Sequence, residues 1–194
     1  MIACAERFLE LVLRNPTNER ILRRLPDLDL PDCHLVAGCL FQTVWNCLSG
    51  KRPDEDILDY DVFYFDATDL SWEAEDVVIH RCSRAFADVD AEIQVRNQAR
   101  VHLWYAKKYG IACPPLDSSR DGIDHFLNES SCFGVRVERG EFEIYAPFGY
   151  DDVFAMIARP NRRRELPHVY HQKAARWSIA WPALTVVPWN DAID

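Results

Sequence analysis

No long apolar run occurs in this sequence. Apolar stretches such as residues 62–65 fall far short of the roughly 20 apolar residues that a membrane-spanning helix needs. There is no repeat, no low-complexity tract and no long linker, so a single domain over residues 1–194 is the expected organisation. Residues 1–14 lack a positive leading region, a long apolar core and a small-residue cleavage site. That predicts no signal peptide and a cytoplasmic location. No C-x-x-C pair occurs among the seven cysteines, an odd number. A disulfide framework and a structural zinc site are therefore not expected, and the cysteines read as small buried hydrophobes in a reducing compartment. Basic residues are in the minority: 22 Lys and Arg stand against 31 Asp and Glu, for a net charge of −9. A field of that sign does not gather long polyanions, so general nucleic-acid binding is not expected. An acidic protein that handles nucleotides needs a cation to bridge the two like charges.

What is present suffices for a folded core: 194 residues, 48% of them hydrophobic. Apolar periodicity predicts helices over residues 5–13 and 18–25, with Pro26 and Pro31 breaking the chain afterwards. Residues 33–37 read as a short strand running into Gly38. Leu40, Val44 and Leu48 then recur at helical spacing, and Gly50 closes that helix. Residues 59–65 are aromatic and β-branched, a strand pattern. A helix over 71–86 opens on Ser71 as its cap. A strand over 89–95 and helices over 97–109 and 118–127 follow. Residues 132–138 and 141–145 flank Arg139-Gly140 as a hairpin. Helices over 151–157 and 166–181 complete the chain, with a short tail beyond 182. The mixture implies an α/β or α+β fold with a mixed sheet.

One arrangement carries chemistry. Gly38 opens a helix, and Asp59-x-Asp61 opens the next strand. Strand residues two apart point to one face, so the two carboxylates project together, about 7 Å apart at their Cα atoms. That spacing lets them converge on a hard cation such as magnesium or manganese. The glycine turn lets backbone approach a ligand, and a helix N-terminus offers N–H groups to phosphate. Phosphoryl or nucleotidyl transfer needs little beyond such positioning and charge neutralisation.

The runs Ala37-Gly38-Cys39, Val44-Trp45, Asp59-Tyr60-Asp61-Val62-Phe63-Tyr64-Phe65-Asp66 and Val95-Arg96-Asn97-Gln98-Ala99-Arg100-Val101-His102-Leu103-Trp104-Tyr105 resemble a bacterial nucleotidyltransferase family of the DNA polymerase beta-like superfamily. The resemblance covers roughly residues 30–182. It implies a nucleotidyltransferase-like mixed sheet flanked by helices, with a core over about 31–182 and N-terminal helices over about 1–30. It also implies a nucleoside triphosphate as donor, an acceptor it does not identify, and Asp59 and Asp61 as metal ligands. Gly38 and Cys39 hold the phosphate-binding turn, with Cys39 standing where serine is usual. Glu92 is taken as the third carboxylate, a metal ligand and catalytic group. Asp90 and Gln94 share its face, and Gln94 is the alternative occupant of that position. The same resemblance leaves open a nucleotide-binding or regulatory protein with a degenerate site.

Other residues carry competing readings. Arg100 either meets a phosphate or pairs with a structural carboxylate. Asn97 is placed as a helix N-cap, Asp66 as a turn residue, and His102 as a half-buried histidine. Trp104, Tyr105, Trp177 and Trp181 read as packed. The run Arg162-Arg163-Arg164 reads as a solvated loop, with a phosphate-rich partner as the alternative.

Overall fold

A computed structural model describes residues 2–190. Helix α1 (Ile2–Leu13) buries Phe8, Leu11 and Val12. Helix α2 (Pro16–Arg24) starts on Asn15, whose side chain accepts from the backbone N–H of Thr17 and Asn18, and Pro16 fits the first turn because no amide hydrogen is needed there. A short 3₁₀ turn, Leu25–Leu28, falls where Pro26 interrupts the helix.

Strands β1 (His34–Val36), β2 (Tyr60–Tyr64), β3 (Ile93–Asn97), β4 (Gly134–Glu138) and β5 (Glu141–Tyr145) form one sheet in the order β3-β2-β1-β4-β5. β2 and β3 are parallel and the other neighbouring pairs are antiparallel, so the sheet is mixed, as expected. The hairpin turn uses Arg139 and Gly140, both at positive φ (54° and 85°), as a tight two-residue connection requires.

Helix α3 (Gly38–Leu48) links β1 to β2 and is buried on nearly all sides. Phe41, Val44 and Trp45 are in the core, and Gln42, Thr43 and Asn46 are buried with them. Helix α4 (Trp72–Ala85) begins at Ser71, whose hydroxyl accepts from Ala74 N–H. It leads to β3. The strand pattern expected over 89–95 lies further along: Val89 and Ala91 belong to turns after α4, and pairing begins only at Ile93, opposite Tyr60. Asn97 caps a 3₁₀ turn, Gln98–Arg100, ahead of helix α5 (Val101–Tyr109).

Helix α6 (Ser119–Asp124) is shorter than expected, and α7 (Asp151–Phe154) is a single turn. Met156, at φ 53°, ends any helical run there. Ile157–Ala158 instead forms β6, parallel to β7 (Thr185–Val186). Thus residues within the expected tail pair with the body, while Met1 and residues 191–194 lie outside the described residues.

Helix α8 (Pro167–Ala180) packs Trp177 edge-on against Phe41 and Trp45, at centroid distances of 5.4 and 6.0 Å. Trp181 follows it, also edge-on to Trp45, and its indole N–H donates to Asn46 Oδ1 at 2.9 Å. This aromatic junction ties the C-terminal helix to α3 and fixes which face α8 turns towards β2. No helix among the described residues is long and apolar enough to cross a membrane. All seven cysteines are free. Cys39, Cys82, Cys113 and Cys132 are buried, and the other three are half-buried.

Candidate active site

The β1–α3 connection is backbone under constraint. Ala37 has φ 60° and ψ −126°, a conformation in which a Cβ crowds the chain. Strain held at a strand-to-helix turn is a feature of ligand clamps. Gly38 follows, and a Cβ there would come within 2.9 Å of Gln42 Nε2. Glycine therefore lets the Gln42 amide lie against the start of its own helix. Helices α2 and α4 have side-chain caps, but Ala37 offers none to α3. The N-terminal N–H groups of α3 thus meet a cavity without a side-chain acceptor, and that end of the helix carries partial positive charge.

Across the cavity stand Asp59 and Asp61. Asp61 pairs with Gln94 in parallel register, which brings Glu92 level with Asp59; Tyr60 N–H donates to the Glu92 carbonyl at 2.8 Å. The Gln94 amide donates to Asp59 Oδ2 at 3.3 Å and to Glu92 Oε1 at 2.7 Å. An amide therefore bridges two of the three expected carboxylates and itself stands opposite the third. Glu92 is exposed. Among the described residues, no group of three or more His, Cys, Asp and Glu side chains is gathered to hold a metal ion.

The cavity has a volume of about 260 Å³. It is lined by Gly38 and Gln42 of α3, by Asp59 and Asp61, and by Lys173, Arg176 and Trp177 of α8. Burial pushes the Asp61 carboxyl up to about 7, with Asp59 adding to the rise and Lys173 and Arg96 opposing it. Partial desolvation pulls Lys173 down, while Asp61 pulls it back up. Lys173 is solvent-accessible as a residue and contributes to the cavity lining. Asn128 also lines the cavity. It is 1% exposed, and neither its Oδ1 nor its Nδ2 has a hydrogen-bond partner. Trp177 Nε1 is likewise without a partner. Buried polar atoms cost free energy when unpaired, and both residues belong to the cavity lining.

Two carboxylates on one face suit a cation that takes its remaining ligands from phosphate and water. The Asp61 carboxyl is raised chiefly by burial and next by the neighbouring Asp59, and a cation at the pair would favour its ionised form. The pair therefore fits magnesium or manganese bound with a phosphate-bearing ligand, and does not form a closed all-protein cage.

Two expected participants are engaged elsewhere. Cys39 is fully buried, its thiol donates to the Val36 carbonyl at 3.4 Å, and burial holds it well above the ordinary thiol range. It supplies no side chain to the cavity, and only its backbone belongs to the turn. Arg100 forms a buried ion pair with Glu75, donates to the Leu70 carbonyl at 3.0 Å and lies 5.5 Å from the Trp72 ring centroid. Of its two readings, the structural-carboxylate pairing describes it, and it lines neither this cavity nor the neighbouring one.

Sequence reading missed Gln42, Asn128, Lys173 and Arg176. Gln42 lies one turn beyond Gly38, so helical spacing from the glycine could have found it. The other three arrive through tertiary packing and leave no local signal. The reading of Arg162 to Arg164 as a solvated run fails at Arg164, which is 7% exposed and stacked 4.4 Å from the Tyr105 ring centroid. Tyr105 is buried as expected, whereas Trp104 is only half-buried.

A family model described as Nucleotidyltransferase matches residues 23–186. A solved structure described as revealing a CCA-adding enzyme head domain, determined by NMR, is similar over 94% of this chain and 95% of its own. Its TM-score is 0.76 and its sequence identity 25%. No curated protein matches.

Proposed function

The chain belongs to this nucleotidyltransferase family, related to the DNA polymerase beta-like superfamily, and on that premise we propose that it transfers a nucleoside monophosphate from a nucleoside triphosphate to an acceptor. The observation that carries the reading is the uncapped start of α3 facing Asp59 and Asp61 across one cavity, with Lys173 and Arg176 on its third wall. The N–H groups of α3 and the Gln42 amide receive the phosphate oxygens. Lys173 and Arg176 add positive charge where the triphosphate is most anionic. Asp59 and Asp61 would hold magnesium or manganese. When bound, that cation neutralises phosphate oxygens and stabilises the charge that builds on the departing pyrophosphate. In this reading a site carboxylate takes the acceptor's proton; Glu92, the third carboxylate, is hydrogen-bonded through Gln94 to Asp59 and stands outside the cavity lining.

The test is calorimetric titration of each nucleoside triphosphate with Mg²⁺, together with an assay of pyrophosphate release. The wild type should bind in a metal-dependent way. Asp59→Asn and Asp61→Asn should each lose turnover by at least about 10³-fold while remaining folded, since each removes charge from the reacting centre. Full activity in both variants would remove the carboxylate pair from the mechanism.

A second reading is favoured by Gln94, which stands as an amide opposite Asp61, and by the buried Cys39 at the phosphate turn. On this reading the protein binds the nucleotide and regulates without transferring it. It predicts metal-dependent binding with no pyrophosphate released under any acceptor.

A further inference from the structure

A second cavity of about 270 Å³ adjoins the first and shares Asp61, Phe126, Leu127 and Lys173 with it. Its charge is opposite to that of the molecule. Arg96, Lys108, Arg164 and Lys173 line it, with Asp61 as the one carboxylate among the lining residues. In a chain of net charge −9, four cations around one small space are a local concentration that the composition does not explain. None of the four is ion-paired with a carboxylate among the described residues; Arg163, next in the chain to Arg164, is paired with Asp124. Arg164 is the most telling. It is 7% exposed, and a guanidinium is removed from water at a cost that a carboxylate normally offsets. Its neighbour here is the Tyr105 ring, which orients the guanidinium without neutralising it.

The walls are aromatic as well as cationic. Lys108 Nζ lies 5.5 Å from the Trp104 ring centroid and 5.2 Å from that of Tyr109, and Tyr105 and Tyr109 rings are 4.6 Å apart. Flat rings beside fixed cations suit a ligand with a planar group and an anion at one end. The volume is that of a small molecule.

We propose that this second cavity binds the acceptor, and that the acceptor is a small molecule bearing a planar ring, a hydroxyl and a phosphate or carboxylate. Arg164 and Lys108 hold its anion. The word acceptor rests on the nucleotidyl-transfer reading; the anion site does not. Because Asp61 belongs to both cavities, a hydroxyl entering from the second meets the triphosphate bound in the first. The acceptor oxygen then bonds to the α-phosphorus. The bond from that phosphorus to the β-phosphate's bridging oxygen breaks, pyrophosphate leaves with the electron pair, and the hydroxyl proton passes to a site carboxylate.

Each cavity has its own tryptophan, Trp104 in the second and Trp177 in the first, so assigned indole N–H resonances report them separately in NMR titrations. Phenyl phosphate, phenol, ATP with Mg²⁺ and an RNA trinucleotide with a free 3′-hydroxyl are the probes. Phenyl phosphate should shift Trp104 saturably and leave Trp177 in place, and phenol should bind at least tenfold more weakly, on the scale of a lost charge-assisted hydrogen bond. Lys108→Met, at an exposed position, should weaken phenyl phosphate roughly tenfold with the fold intact. Arg164→Met should do so more strongly. Equal binding of phenol and phenyl phosphate, an unchanged affinity in Lys108→Met, or shifts confined to Trp177 would overturn the anion site. Tighter binding of the trinucleotide than of phenyl phosphate at Trp104 would overturn the small-molecule assignment. If ATP with Mg²⁺ fails to shift Trp177 while phenyl phosphate still shifts Trp104, the donor reading fails and the anion site stands.

Discussion

Asp61 holds a carboxyl raised from its ordinary 3.8 to about 7, chiefly by burial and next by Asp59. A carboxyl raised by folding keeps its proton in the folded state at pH values where the unfolded chain has lost it. Stability therefore falls as pH rises from about 4 to about 7, and the full cost of the ionised, buried group is present above that window. Asp61→Asn removes this cost. The metal-free variant should melt at nearly the wild-type temperature near pH 4. It should gain steadily up to about pH 7 and hold a constant advantage beyond. Thermal melts across that range, without metal, measure it. A gain independent of pH would mean that the carboxyl titrates normally. Added Mg²⁺ should raise the wild-type melting temperature at pH 8 and leave the Asp61→Asn variant where it was, because ligand that binds only the folded state stabilises it.

At the scale of elements, β2, β3 and α4 are held together by one buried polar junction. Glu75 of α4 accepts from Asn97 N–H at 2.8 Å and pairs with Arg100 just beyond β3, while Asn97 bonds both the N–H and the carbonyl of Asp66. The junction sets where β3 ends and so anchors the Gln94 and Glu92 register beside the aspartates. Arg100→Met would leave Glu75 buried and uncompensated, at a cost of about 3–5 kcal/mol. Urea unfolding should show that loss, and the double change Glu75→Leu, Arg100→Met should recover much of it. Nucleotide affinity of the folded double variant should match the wild type; a large fall would return Arg100 to the phosphate site. This junction also shows what the sequence makes legible. The Asp59-x-Asp61 face follows from the two-residue strand period, and Gly38 and the caps at Ser71 and Asn97 follow from local backbone chemistry. Such features depend on neighbours in the chain. The role of Arg100 depended on which carboxylate it met, and Glu75 lies 25 residues away. The two-residue strands β6 and β7 are too short to show alternation at all, and the single turn of α7 stops at Met156 for reasons of tertiary fit.

At the scale of the molecule, the two cavities form a single device because α8 closes both. The helix has no strong local signature of function. Its position comes from Trp177 and Trp181 locking onto Trp45, itself fixed by an indole hydrogen bond to the Val153 carbonyl at 3.1 Å. That lock turns Arg176 into the first cavity and Lys173 to the boundary, where it lines both. Lys173 is also one of the charges that hold the Asp61 carboxyl down, so its loss would drive that carboxyl further up. Three substitutions then separate. Arg176→Met, at a residue that lines the first cavity and not the second, should weaken ATP with Mg²⁺ roughly tenfold and leave phenyl phosphate unchanged. Lys108→Met, confined to the second, should do the reverse. Lys173→Met should weaken both by similar factors, and raising the salt concentration should narrow the difference between each variant and the wild type, since part of every loss is screened charge attraction. Calorimetry with the two ligands on the three variants makes the comparison. If Lys173→Met weakened one ligand alone, the boundary lysine would belong to that cavity only. The joint wall would then reduce to Asp61, and donor and acceptor would meet there without a shared cation.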